Sequence, residues 1–205
     1  VKAHHLKAEF DLLLDWIPQG ARVLDLGCGN GELLAYLSTH KQVKAVGLEM
    51  DPLAIIGSID NGVDVMQADL NSSNLVDLFG ENAFDVVLTT QTVQAMQRPD
   101  QLIDSMITVG KRAIVTFPNF GYWRNRLQVV LDGKMPVSEA LPHQWYDTPN
   151  THLCTFSDFE QLCTDKNIAI IEQRVLGKEL GFIAQLIPNL FGEVALYHIE
   201  KGFGN

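Results

Sequence analysis

The chain has 205 residues, 46% of them hydrophobic and 20% charged, which suits one well-filled globular domain over 1–205 and excludes a disordered one. A formal net charge of −10 argues against a broad footprint for nucleic acid or an anionic membrane, and Arg124 and Arg126 are too few to reverse it. Three cysteines (Cys28, Cys154, Cys163) without metal-ligand spacing, no apolar run near the ~20 residues that span a bilayer, and no signal-type core in Val1–Phe10 predict a soluble cytoplasmic protein with reduced thiols and no metal site.

Leu6, Phe10, Leu13, Leu14 and Ile17 recur at helical spacing, and Pro18 to Gly20 ends that helix. A first strand follows at Arg22–Leu26, then a helix through Leu33, Leu34 and Leu37. Lys44–Glu49 reads as the second strand, Pro52 opens another helix, and Val63–Gln67 is a short third strand. Phe84–Thr89 is continuous and apolar, as a strand buried on both faces should be. Pro99–Val109 is a helix stopped by Gly110, and Arg112–Phe117 is the fifth strand. This alternation predicts an α/β, doubly wound, mostly parallel sheet.

After Pro118 the rhythm breaks. Residues 118–156 hold four prolines, Trp123, Trp145, Tyr122 and Tyr146, with one amphipathic helix at about Tyr122–Leu131. Such an aromatic insertion forms a lid or a binding surface, and the sequence does not choose between them. The rhythm resumes with a helix at Ser157–Asp165, a strand at Ile168–Leu176, an apolar run Leu180–Phe191 interrupted by Pro188, and a last strand at Val194–Glu200.

Chemistry concentrates where the first strand meets its helix. Gly27, Gly29 and Gly31 alternate there, and glycine alone lets backbone bend close to a ligand with no side chain between. Carboxylates surround this turn: Asp25 before it, Glu32 after it, and Glu49-Met50-Asp51 closing the next strand. A pyrophosphate would meet negative charge on both sides. The dinucleotide fingerprint also needs its third glycine one position later, where Glu32 stands, and no phosphate-loop Gly-Lys-Ser/Thr follows. A ligand bearing an ammonium, a sulfonium and a ribose fits instead, which describes S-adenosylmethionine (SAM) or S-adenosylhomocysteine (SAH). Glu49 is placed to accept from ribose hydroxyls, with Met50 beside it. Asp69 can accept from an adenine amino group and Leu70 offers an apolar contact, while Cys28 is a small residue tolerated in the turn. Gln91 and Gln94, after the fourth strand, can face ligand or substrate.

A catalytic group is harder to find. Thr89–Gln94 holds no acid or histidine and lacks the Asn/Asp-Pro-Pro-aromatic motif of base-amino methyltransferases. His143 and His152, both in the insertion, are weak candidates for a base, and His198 is weaker.

Residues 20–118 resemble the class I SAM-dependent methyltransferase fold in motif order. The whole chain resembles a narrower family, the MetW methionine-biosynthesis proteins. The resemblance is carried by Leu24–Leu37 (LDLGCGNGELLAYL), Gly47–Pro52 (GLEMDP), Arg98–Gln101, Arg112–Arg124 (RAIVTFPNFGYWR), Met135–Ser138 and, most specifically, Leu141–Thr155 (LPHQWYDTPNTHLCT). It implies a seven-stranded Rossmann-like sheet, SAM contacts from Asp25, Gly27, Gly29, Gly31, Glu49 and Asp69, and a role beside homoserine O-acyltransferase (MetX) as an activating partner. An alternative is an enzyme that methylates a small molecule or a protein side chain. Asn30 departs from the acid that many relatives of the fold carry there.

Overall fold

The computed structural model describes residues 2–177 and 181–202, so Leu180, which opens the last apolar run, lies outside them; side chains of the first helix are described from Ala8 onward. The elements in chain order are α1 (Lys2–Leu14), β1 (Arg22–Leu26), α2 (Glu32–Lys41), β2 (Lys44–Glu49), α3 (Pro52–Asp60), β3 (Asp64–Gln67), α4 (Leu75–Phe79), β4 (Val86–Thr90), α5 (Pro99–Val109), β5 (Ala113–Pro118), α6 (Trp123–Asp132), α7 (Phe156–Asp165), β6 (Ile168–Leu176), α8 (Gly181–Leu186), α9 (Pro188–Phe191) and β7 (Val194–Lys201). A short 3₁₀ turn at Val93–Ala95 lies between β4 and α5.

The seven strands form one sheet in the order β3-β2-β1-β4-β5-β7-β6. Five are parallel, and β7 runs antiparallel between β5 and β6. Strand order reverses between β1 and β4, so a crevice opens beyond their carboxyl ends, where ligands of doubly wound sheets bind.

Strand periodicity sorts the core into two layers. Leu24, Leu26, Val87, Val115, Phe117 and Tyr197 pack on one face, against α5 and α7 through Leu102, Ile103, Met106, Phe156 and Phe159. The alternate residues Val23, Val86, Leu88, Ile114 and Leu196 pack on the other, against α1 and α2 through Leu13, Leu33, Leu34 and Leu37. Both faces of β4 and β5 are covered, which explains their nearly continuous apolar sequences.

Local chemistry sets the element ends. Asp51 Oδ1 accepts from the Leu53 amide at 2.9 Å, and Pro52 opens α3 where a missing N–H costs nothing. Thr155 and Asp158 form a reciprocal capping box that starts α7 at Phe156, one residue before the expected start. β4 begins at Val86 rather than Phe84: the Asp85 carboxylate accepts from the Arg22 amide and pairs with Lys111, and Phe84 makes only an isolated bridge to Gly110. Helix α4 has no counterpart in the sequence reading; Asn74 Oδ1 caps it through the amides of Val76 and Asp77. No strand forms in 119–155, and no helix among the described residues is long and apolar enough to cross a membrane.

Candidate functional site

Gly27, Gly29 and Gly31 all adopt left-handed backbone, with φ of 78°, 56° and 76°. Their neighbours differ. A Cβ on Gly27 would lie 2.6 Å from Thr92 Oγ1, and one on Gly31 would lie 3.0 Å from Ser58 Oγ. A Cβ on Gly29 would meet nothing within 4 Å, so the middle of the turn has open space beside it.

β2 and α3 clasp the turn from one side. Glu49 Oε2 accepts from the Gly29 amide at 2.8 Å, while its Oε1 accepts from Met50 and Asp51 amides at 2.7 and 2.9 Å. The carboxylate thus joins two strand ends before any ligand arrives, and the two oxygens together retain one acceptor position. Ser58 Oγ donates to the Gly29 carbonyl and Asn61 Nδ2 to the Asn30 carbonyl, both at 2.8 Å. A Cβ on Gly47 would collide with Cys28 Sγ, so a glycine in β2 makes room for the turn's cysteine. Burial, then the Asp25 carboxylate, pushes the Cys28 thiol up to about 11, which leaves it an inert small side chain.

A cavity of about 360 Å³ lies beside the turn. Its walls combine Gly27–Asn30, Glu32 and Leu33 with Thr90 at the end of β4, Gln91 just after it and, from α1, Glu9 and Phe10. Glu9 is only 2% exposed. Its Oε1 accepts from Thr116 Oγ1 at 2.6 Å and its Oε2 from Gln91 Nε2 at 2.9 Å, which ties α1 to the ends of β4 and β5. The sequence reading missed Glu9, Ser58 and Asn61.

Asp25 is 1% exposed, and neither of its oxygens has a hydrogen-bond partner. It shares a sheet face with Val23, which packs in the same layer as the cavity residues Phe10, Cys28 and Leu33. Burial, reinforced by Glu49, pushes its carboxyl up to about 8.

The other expected residues take varied positions. Met50 is exposed beside Glu49. Asp69 follows β3 with its Oδ1 accepting from the Asn71 amide at 2.9 Å, while Leu70 is half-buried against the core layer under α5. Gln91 has a φ of 53° and points its amide to Glu9. Gln94 is buried, and its carbonyl accepts from the amides of Thr151 and His152, so the end of the insertion reaches the crevice through backbone. The His143 and His152 side chains are both exposed and neither lines this cavity. His198 is buried in β7, 3.3 Å from Glu200.

The family model described as methionine biosynthesis protein MetW matches residues 7–199. The chain belongs to that family. It is 32% identical over 177 residues to the bifunctional methionine biosynthesis protein MetXA/MetW of Rhodopirellula baltica; the match covers 82% of the chain but only 28% of that longer relative. The chain also has the class I SAM-dependent methyltransferase fold. It superposes on a SAM-dependent methyltransferase from Mesorhizobium loti with a TM-score of 0.68 at 16% identity, covering 94% of this chain and 97% of that one. A magnesium protoporphyrin IX methyltransferase from Synechocystis, solved with bound SAH, gives a TM-score of 0.63 at 15% identity, with 96% and 82% covered.

Proposed function

We propose that this chain binds SAM or SAH in the glycine-turn cavity and acts in the cytoplasm as an activating partner of homoserine O-acyltransferase (MetX). The observation that carries the partnership is the Rhodopirellula relative, whose name joins MetXA and MetW in one polypeptide. Fusion holds two modules at high effective concentration, a benefit when they work in contact.

The nucleoside reading rests on fit. Asp25 is a buried carboxylate without a partner, and a ligand ammonium supplies one. The acceptor position left on Glu49 suits a ribose hydroxyl, and the bare side of Gly29 lets backbone approach the ligand. Met50, Asp69 and Leu70 do not line the cavity and would meet an adenine that extends beyond it, while Gln91 lines the cavity together with the turn. When bound, SAM brings a transferable methyl on its sulfonium. The chain's own part is to hold and orient the ligand and, in Asp25, to give up a proton as the ammonium arrives.

The insertion supports a partner over a substrate pocket. Trp145 and Tyr146 are 73% and 71% exposed, and Leu127, Val130 and Leu131 of α6 also face solvent. Trp123 is half-buried with Arg124 over its ring.

The test is co-purification with the acyltransferase and a homoserine acylation assay, each with and without SAM. Complex formation with faster acylation is expected. No complex and unchanged acylation overturn the partner reading, and conversion of SAM to SAH without any effect on acylation favours the methyltransferase alternative.

A further inference from the structure

A second cavity, of about 270 Å³, lies at the root of the insertion between α6 and the segment 137–140. Among the described residues its walls share none with the glycine-turn cavity. These walls are tied in place. Gln128 Oε1 accepts from the Val137 amide at 3.0 Å, which pins the segment to α6. Glu193 is held through its backbone, its amide donating to the Leu176 carbonyl and its carbonyl accepting from the Asn119 amide.

Asn125, on α6, lines the cavity and is only 2% exposed. Its Nδ2 donates to the carbonyls of Asn119 and Phe120 at 3.2 and 3.5 Å. Those two carbonyl oxygens would repel an amide oxygen, so the side chain has one acceptable orientation. It leaves Oδ1 buried without a hydrogen-bond partner. An orphaned acceptor of this kind asks for a donor from a ligand. Glu193 adds a carboxyl group to the same walls.

Donors stand there too. α6 is ten residues long and starts at Trp123 with no side-chain cap, so its first amides and the positive end of its dipole favour an anion. The Ser138 hydroxyl accepts from the Leu141 amide at 3.2 Å and carries a proton to donate. A lone cation would meet Arg124 and the start of the helix, and a lone anion would meet Glu139, Glu193 and Asn125 Oδ1. A zwitterion with both charges on one carbon meets neither conflict. We propose that this cavity is an effector site for a free α-amino acid, its ammonium on Asn125 Oδ1 and Glu193 and its carboxylate at the start of α6 beside Ser138. Leu127, Val130 and Leu131 face solvent on the same helix, so an occupant is placed to alter the docking face of the insertion.

Calorimetric titration of the full chain with each of the common L-α-amino acids gives the test. Saturable binding of at least one is expected, and it should persist when SAH is added. Its decarboxylated amine and its deaminated acid should each bind at least about tenfold more weakly, since each lacks one set of charged hydrogen bonds, and Glu193→Gln should weaken the amino acid to a similar degree. No saturable binding by any of them at millimolar concentration overturns the proposal. So does displacement by SAH, which places the amino acid in the glycine-turn cavity, or undiminished affinity in a folded Glu193→Gln chain. The two single-charge analogues decide the matter on wild-type protein even if Glu193→Gln does not fold: an amine or an acid that binds as tightly as the amino acid overturns the zwitterion site.

Discussion

The glycine turn and the 118–156 insertion are opposites in how they treat their own side chains. Around the turn nearly every choice is answered from within the chain: Gly27 by Thr92, Gly31 by Ser58, Gly47 by Cys28, and the Gly29 amide by Glu49. In the insertion, large apolar groups point outward, with Trp145, Tyr146, Val130 and Leu131 more than two-thirds exposed. The first region meets its needs with its own side chains, and the second leaves its largest apolar groups in solvent. Asp25 is the exception that fits this contrast, a buried group of the turn that lacks an internal partner.

The largest break in that contrast is expected from Gly27→Ala. It forces a Cβ onto left-handed backbone and 2.6 Å from Thr92 Oγ1, so strain and overpacking together should cost about 2–4 kcal/mol and abolish nucleoside binding. Denaturant midpoints beside calorimetry check it, and an unchanged midpoint removes the steric account. Glu49→Ala comes next. It strips a charged acceptor from three backbone amides, each such bond worth roughly 1.5–3 kcal/mol before water replaces it. Most of the ligand affinity should go, with a smaller loss of stability; undiminished affinity removes Glu49 from the site.

Asp25 gives a prediction in pH. Its carboxyl titrates near 3.8 when unfolded and about 8 in the ligand-free fold, so the native state holds a proton that the unfolded chain has lost. Stability of the ligand-free protein should therefore fall as pH rises from about 4 to about 8, and Asp25→Asn should flatten that slope. An ammonium favours the ionised form, so nucleoside affinity should rise over the upper part of the same range, with proton release on binding. Titrations in buffers of different ionisation enthalpy measure that proton, and finding none released at pH 7 counts against the ammonium contact.

The smallest effect on stability should come from Trp145→Ala. At 73% exposure the ring holds little of the fold together, so unfolding should move by no more than about 0.5 kcal/mol and SAM binding should stay near normal. Activation of the acyltransferase should fall several-fold. A large stability loss makes Trp145 structural, and full activation places the interface elsewhere.

Much of the fold was legible because strands with two buried faces leave continuous apolar runs and because caps such as Asp51-Pro52 and Thr155 are local chemistry. The glycine spacing and the acids at Asp25 and Glu49 were legible for the same reason, each lying at or next to the carboxyl end of a strand. Glu9 was not, although it left a trace: a carboxylate three residues after Leu6 and four before Leu13 lies on the apolar stripe of its helix, where a solvated acid does not belong. Its partners, Gln91 and Thr116, come from distant strands, and no local pattern connects them. The match of Gly47 to Cys28 is a shape relation across strands and is equally silent in sequence. Orientation of the insertion was open because the same aromatic composition serves a lid and a docking face.

The hydrogen bond from Thr116 to Glu9 spans 107 residues of chain. During synthesis at about 5–20 residues per second, α1 waits on the order of ten seconds before the strand that receives its carboxylate exists. Closing so long a loop carries an entropic cost that only the assembled β4 and β5 can offset. The cavity is thus completed only once β5 has been made, although its wall residue Glu9 precedes Thr116 by 107 residues. Any nascent chain stalled before β5 carries the whole glycine motif and no finished site.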